Sequence, residues 1–107
     1  GLVMGADGGI GGTYAVMPEL YLAIFALSQK GEIAKAREIQ YETDRIIYAL
    51  CACRGNLYAA MKEIIKQRDG IDIGSVRAPL APLSDADMTQ IKQCRKMIDN
   101  AIAQYTK

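Results

Sequence analysis

The first twelve residues of the chain constrain its fold most, because they hold six of its ten glycines. Residues 5–14 read GADGGIGGTY, and we call them the glycine segment. A run with so few side chains cannot bury a core of its own, and it suits places where backbone passes close to another backbone or to a ligand. The rest of the chain has the pattern of helices. This asymmetry predicts that the chain is the last part of a larger protein.

Two helices are predicted in the first half of the chain. The first begins at Pro18, whose fixed φ and missing N–H suit an opening turn, and it ends at Lys30 before Gly31, a natural left-handed cap. Apolar residues then recur at helical spacing between residues 32 and 53, with charged residues between them. We therefore predict a second helix over about residues 32–53.

Two more helices are predicted in the second half. Asn56 can cap the third, which stops at Gly70, and Ser84 with Asp87 resembles a capping box that opens the last one. Residues 71–83 contain Gly74 and two prolines among scattered apolar residues, which indicates an extended segment lying across a surface. Four helices with short connections suit a helical bundle.

The composition excludes several classes of partner and site. A net charge of +1 on 107 residues argues against a nucleic-acid partner, and no apolar run approaches the ~20 residues that span a bilayer. The chain has three cysteines, Cys51, Cys53 and Cys94, and no histidine to complete a four-ligand zinc site. We therefore predict no metal and no cofactor. We predict that the cysteines are reduced and pack against other side chains, and that Cys51 and Cys53 lie inside the second helix. Reduced cysteines in turn predict a cytoplasmic protein.

The glycine segment allows three interpretations. It can be a flexible tail, because its composition is that of a linker. It can be a phosphate cradle, although it lacks the Gly-Lys-Ser/Thr ending of a P-loop. Ile10, Thr13, Tyr14 and Val16 favour β structure, so a short strand that leads into the first helix is the third possibility and the one we predict.

Three stretches of the sequence resemble a known family. The glycine segment is similar to the last barrel strand of the N-acetylneuraminate lyase family, which belongs with dihydrodipicolinate synthase to the pyruvate-dependent class I aldolases. KGEIAKA at residues 30–36 resembles the family's turn between the final barrel helix and the appended helices. RAPLAP at residues 77–82 resembles the family's Arg-x-Pro segment before its last helix. The resemblance covers essentially the whole chain.

The resemblance implies an α/β fold, a (β/α)₈ TIM barrel with a C-terminal helical extension. Residues 1–30 would form the last strand and last helix of the barrel, and residues 31–107 the extension. This part would be mostly α, with about four helices and one short N-terminal strand. A whole barrel takes about 250 residues. The family's Schiff-base lysine lies on the sixth strand, so the chain would contain no catalytic residue and would be inactive alone. Its own lysines, such as Lys35, would be exposed to solvent and play no part in catalysis.

The resemblance also implies two substrate-binding positions, Ile10 and Gly12. Ile10 matches a strand residue whose carbonyl faces bound pyruvate. Gly12 matches a serine that contacts the polyhydroxyl tail of the sugar acid, and glycine offers no hydroxyl there. Ala15, where the lyases usually carry asparagine, is a second departure. Strand packing alone is the competing explanation for both binding positions.

Three functions therefore compete. The first is part of a lyase that cleaves sialic acid to pyruvate and N-acetylmannosamine, and the second is a related aldolase with a different aldehyde. The third is a helical interaction module without catalysis. The family's members are commonly homotetramers, so the resemblance implies a homo-oligomer. We also expect the isolated chain to self-associate through exposed apolar surface.

Overall fold

A computed structural model describes all 107 residues of the chain. It contains four α-helices, and no residue is in a β-strand. We label the helices α1 (Pro18–Gln29), α2 (Ile33–Cys51), α3 (Leu57–Asp69) and α4 (Met88–Tyr105). Two short 3-10 turns, Gly12–Ala15 and Asp85–Asp87, lead towards α1 and directly into α4.

The core lies where one apolar face of each helix meets the others. The closest pairing is that of α1 with α2, and α4 packs across α2. Burial of such faces is the main favourable term in folding. The largest side chains that are fully buried come from all four helices and from the residues just before α1: Val16, Met17, Leu20, Ile46, Leu50, Ile64, Ile91 and Ile98.

Helix ends lie close to the predicted positions because local chemistry sets them. Gly31 and Gly70 have φ values of 74° and 72°, a region that glycine enters without a Cβ clash, and they follow α1 and α3. The Asn56 side chain accepts a hydrogen bond of 2.9 Å from the Tyr58 N–H and caps α3. These predictions are confirmed.

The predicted capping box before α4 is present, and its Asp87 carboxylate also binds the turn between α2 and α3. The Asp87 carboxylate accepts a hydrogen bond from the Ser84 N–H (2.9 Å), as a capping box requires, and another from the Ser84 hydroxyl (3.1 Å). It also accepts from the N–H groups of Arg54 (2.7 Å) and Gly55 (3.2 Å), which lie more than thirty residues earlier. These donors, Ser84 first, hold the pKa of Asp87 below its usual range. One buried carboxylate thus joins the α2–α3 turn to the start of α4.

The predicted N-terminal strand is wrong for this chain. The glycine segment is irregular until residue 12 and then enters the 3-10 turn. The N–H groups of residues 7–13 have no hydrogen-bond acceptor within the chain. A strand needs a neighbour to accept and donate these bonds, and no other segment lies alongside. The β-favouring side chains cannot supply that pairing themselves.

Two smaller expectations also change. Helix α2 ends at Cys51, so Cys53 lies in the following turn, where the chain must bend to bring the Arg54 and Gly55 N–H groups to Asp87. Residues 71–83 are non-helical as predicted, but they turn at residues 77–80, and most of their apolar side chains stay exposed, Ile71 to 55%. Polar contacts hold that segment instead, such as a 2.7 Å hydrogen bond from Lys62 Nζ to the Ser75 carbonyl.

No helix of the chain combines the length and the apolar character that a bilayer crossing demands.

Candidate functional site

An open groove of about 750 Å³ lies between the N-terminal residues, α1 and α2. Its walls are mostly apolar. The outer faces of α1 and α2 contribute Leu22, Phe25 and Ile33, all of which are partly exposed. The backbone of Gly8 and Gly9 closes one end, next to the rings of Tyr14 and Tyr21. An apolar concave surface with a few polar groups at one end is the usual form of a small-molecule or docking site.

Tyr14 explains why two positions of the glycine segment carry no side chain. A Cβ added at Gly9 would lie 2.6 Å from the Tyr14 hydroxyl oxygen, and one added at Gly11 would overlap the ring itself. The ring therefore covers the backbone of these two residues. This is the close approach that the sequence predicts for a glycine-rich run, made by a side chain of the same segment.

Two side chains from the helices fasten the C-terminal end of the glycine segment. The hydroxyls of Thr13 and Tyr21 share a hydrogen bond of 2.7 Å, and the rings of Tyr14 and Tyr21 lie with their centres 4.1 Å apart. Burial raises the pKa of the Tyr21 phenol. From α3, Arg68 Nη1 donates a 2.7 Å hydrogen bond to the Val16 carbonyl.

The two predicted substrate-binding residues lie outside the groove. The Ile10 side chain is fully exposed. Gly12 begins the 3-10 turn and faces α3, where a Cβ would lie 3.0 Å from the Tyr58 ring and 3.6 Å from Met61 Cε. Both residues lie on the glycine segment, where the N–H groups of residues 7–12 donate no hydrogen bond within the chain. Their contact with substrate stays a prediction.

Two lysines, Lys35 and Lys66, do not have the environment of a Schiff-base nucleophile. Such a lysine needs a lowered pKa, from burial or from a neighbouring cation. The pKa values of Lys35 and Lys66 move the other way, because each ammonium group pairs with a carboxylate, that of Glu32 or Asp72. No group of three or more cysteine and acidic side chains is placed to hold a metal ion.

Comparison with known proteins decides the family. The family model for the dihydrodipicolinate synthetase family matches residues 1–98. The chain belongs to this family. An N-acetylneuraminate lyase of Mediterraneibacter gnavus is 46% identical over 101 residues, which are 94% of this chain and 32% of that protein. An N-acetylneuraminate lyase of Salmonella agona is 33% identical over 92 residues, 86% of this chain and 30% of that protein.

Solved structures within the family agree with the sequence relatives. The wild-type sialic acid aldolase of Ruminococcus gnavus matches 96% of this chain with a TM-score of 0.93 and 45% identity. A catalytic lysine mutant of that aldolase matches equally well. The match covers 34% of the aldolase chain, so this chain spans about a third of the length of the relatives it matches.

Sequence reasoning missed the residues that hold the site. Neither Tyr21 nor Arg68 was predicted to hold the glycine segment. The available signal was weak: a tyrosine eight residues after a threonine, and an arginine in the last turn of a helix. Neither spacing indicates that Tyr21 contacts Thr13 or that Arg68 contacts Val16, three residues later.

Proposed function

We propose that this chain is the C-terminal part of an N-acetylneuraminate lyase, an aldolase that cleaves sialic acid to pyruvate and N-acetylmannosamine. The observation that carries the proposal is the 46% identity to a lyase over nearly the whole chain, together with the TM-score of 0.93 to a sialic acid aldolase. The proposal concerns the complete protein, because the chain spans only about a third of these relatives.

Within that protein, residues 1–30 would complete a (β/α)₈ barrel and residues 31–107 would form a helical extension. The free N–H groups of residues 7–11 support this arrangement, since a neighbouring barrel strand would supply the acceptors they lack, and the Gly12 N–H would stay unpaired. Exposed apolar side chains around the groove, among them Leu22 at 68% exposure, support contact with further barrel helices. A homo-oligomeric assembly is part of the same proposal.

The nucleophile would be a lysine outside this chain. In the cleavage direction its amine would condense with the ketone of open-chain sialic acid, release water and leave an iminium that accepts the electron pair of the breaking carbon–carbon bond, while the substrate hydroxyl loses its proton and becomes the aldehyde. Protonation and hydrolysis of the resulting enamine would release pyruvate and free the lysine. The upward pKa shifts of Lys35 and Lys66 argue against these two residues as the nucleophile. One of the two related structures is a catalytic lysine mutant of the Ruminococcus gnavus aldolase, so a lysine is catalytic in that relative.

Ile10 and Gly12 would contact the substrate through backbone groups. An exposed backbone with unpaired N–H groups can bind carboxylate or hydroxyl oxygens directly or through water. The Ile10 carbonyl would face pyruvate, and the Gly12 N–H would take over the contact that a serine hydroxyl makes in the family. A side chain at position 12 would require the exposed Tyr58 ring to shift by a few tenths of an ångström.

The missing hydroxyl at Gly12 favours one alternative, an aldolase of the same family with another aldehyde. A site without this hydroxyl discriminates less strongly between an aldehyde that carries the matching polar group and one that lacks it. The interaction module is less well supported, because the chain resembles catalytic relatives along 94% of its length.

The test is a substrate comparison with the complete protein. Purified protein is incubated with sialic acid, and pyruvate and N-acetylmannosamine are quantified. In the reverse direction, pyruvate is offered with N-acetylmannosamine or with shorter aldehydes. The proposal expects sialic acid cleavage and the highest kcat/KM for N-acetylmannosamine. Preference for a shorter aldehyde would select the alternative, and absence of any aldol reaction with pyruvate would refute both.

A further inference from the structure

The glycine segment is hydrogen-bonded to the helices at only one end, while Leu2, which precedes it, packs against the core through apolar contact alone. Residues 7–13 donate no backbone hydrogen bond, and the turn formed by residues 1–6 closes only on itself. Downstream, the Tyr14, Val16 and Met17 N–H groups donate to the carbonyls of Gly11 and Thr13. The position of residues 10–12 relative to the helices therefore depends on side-chain contacts near Thr13.

Tyr21 makes the main contact of this kind. Its hydroxyl lies 2.7 Å from the Thr13 hydroxyl, and its ring lies against that of Tyr14, which in turn covers Gly9 and Gly11. Thr13 is buried, so a hydroxyl left without its partner would lose a hydrogen bond that water cannot easily replace. Arg68 fixes the Val16 carbonyl from the other side. We call the hydrogen bond between Thr13 and Tyr21 the anchor, and it lies next to Gly12.

We propose that Tyr21 is a positioning residue that sets the place of Gly12, and thereby the affinity for the aldehyde half of the substrate, through its hydrogen bond to Thr13. The inference rests on the proposed function, in which Gly12 faces the polyhydroxyl tail. In this proposal Tyr21 acts through Thr13 and not by contact with the substrate. Because Thr13 is the neighbour of Gly12 and lies three residues from Ile10, loss of the anchor shifts the aldehyde contact more than the pyruvate contact.

The test uses the complete protein with Tyr21→Phe, Thr13→Val and Thr13→Ser. Thr13→Ser keeps the hydroxyl, and Tyr48→Phe is the matched control, because Tyr48 is 77% exposed and makes no side-chain hydrogen bond. We expect Tyr21→Phe and Thr13→Val to raise the KM for N-acetylmannosamine about tenfold, the scale of one lost hydrogen bond. The KM for pyruvate should stay unchanged, and Thr13→Ser and Tyr48→Phe should behave as wild type.

Hydrogen exchange at the Tyr14, Val16 and Met17 amides gives a readout that needs no activity. Exchange should speed up about fivefold in Tyr21→Phe and Thr13→Val, and not in Thr13→Ser. Unchanged exchange, or equal increases of both KM values, would overturn the inference. A wild-type protein that fails to cleave sialic acid would instead refute the proposed function, while faster exchange in the variants would still support the anchor.

Discussion

Replacement of Gly55 by alanine tests the contact between the α2–α3 turn and the segment before α4. Gly55 is buried, and a Cβ added there would lie 2.8 Å from the Pro82 carbonyl oxygen and 2.9 Å from Leu83 Cα. Real Cβ atoms essentially never come this close to other heavy atoms. Since these neighbours are backbone atoms, the two segments must move apart. That movement also stretches the hydrogen bonds from Arg54 and Gly55 to Asp87.

The size of the effect follows from two opposing contributions. Overpacking of a tight contact costs about 1–3 kcal/mol, and contact with backbone favours the upper half of that range. The lost freedom of glycine in the unfolded chain stabilises an alanine variant by about 0.4–1 kcal/mol. We therefore expect Gly55→Ala to lower the free energy of unfolding by about 2 kcal/mol.

Urea unfolding followed by circular dichroism measures this difference. With a slope of about 1–3 kcal/mol per molar urea, the midpoint should fall by about 1 M. Gly8→Ala is the matched control, because a Cβ at Gly8 meets nothing within 4 Å. It should leave the midpoint unchanged or raise it slightly. Equal midpoints for the two variants would refute the account of this contact.

Two further predictions concern titration. Because hydrogen bonds depress the folded-state pKa of Asp87, its contribution to stability is present above the unfolded pKa of about 3.9 and is lost as pH falls through the folded value. The urea midpoint should thus fall more steeply below pH 4 in wild type than in Asp87→Asn, and parallel curves would contradict the role of this carboxylate. Burial raises the pKa of Cys94 to about 11, so iodoacetamide at pH 8 should alkylate exposed Cys51 first and Cys94 last, as mass spectrometry of digests can check.

The helices could be predicted because their signals are local. Gly31, Asn56 and Gly70 act on hydrogen bonds within a few residues of themselves, so their effect can be read from the sequence. The capping box of Ser84 and Asp87 is equally local. The family resemblance was also accessible, since it rests on contiguous stretches such as residues 5–14.

Contacts between residues far apart in the chain could not be predicted from the sequence. The side chains of Ile10 and Tyr14 favour a strand, but a strand depends on a partner that no propensity supplies. The hydrogen bond from the Arg54 N–H to the Asp87 carboxylate joins residues 33 positions apart. The bond between Thr13 and Tyr21 depends on how the 3-10 turn folds back on α1. Each of these needs the tertiary structure, and the last two determine how the candidate site is held.

Borohydride trapping of the complete protein with pyruvate tests the central claim most directly. Reduction converts an iminium between lysine and pyruvate into a stable amine, and peptide mapping then locates the modified residue. We predict one adduct per chain on a lysine outside residues 1–107, with every peptide from this region unmodified. An adduct on Lys35, Lys66 or any other lysine of this chain, or no adduct at all, would contradict the account.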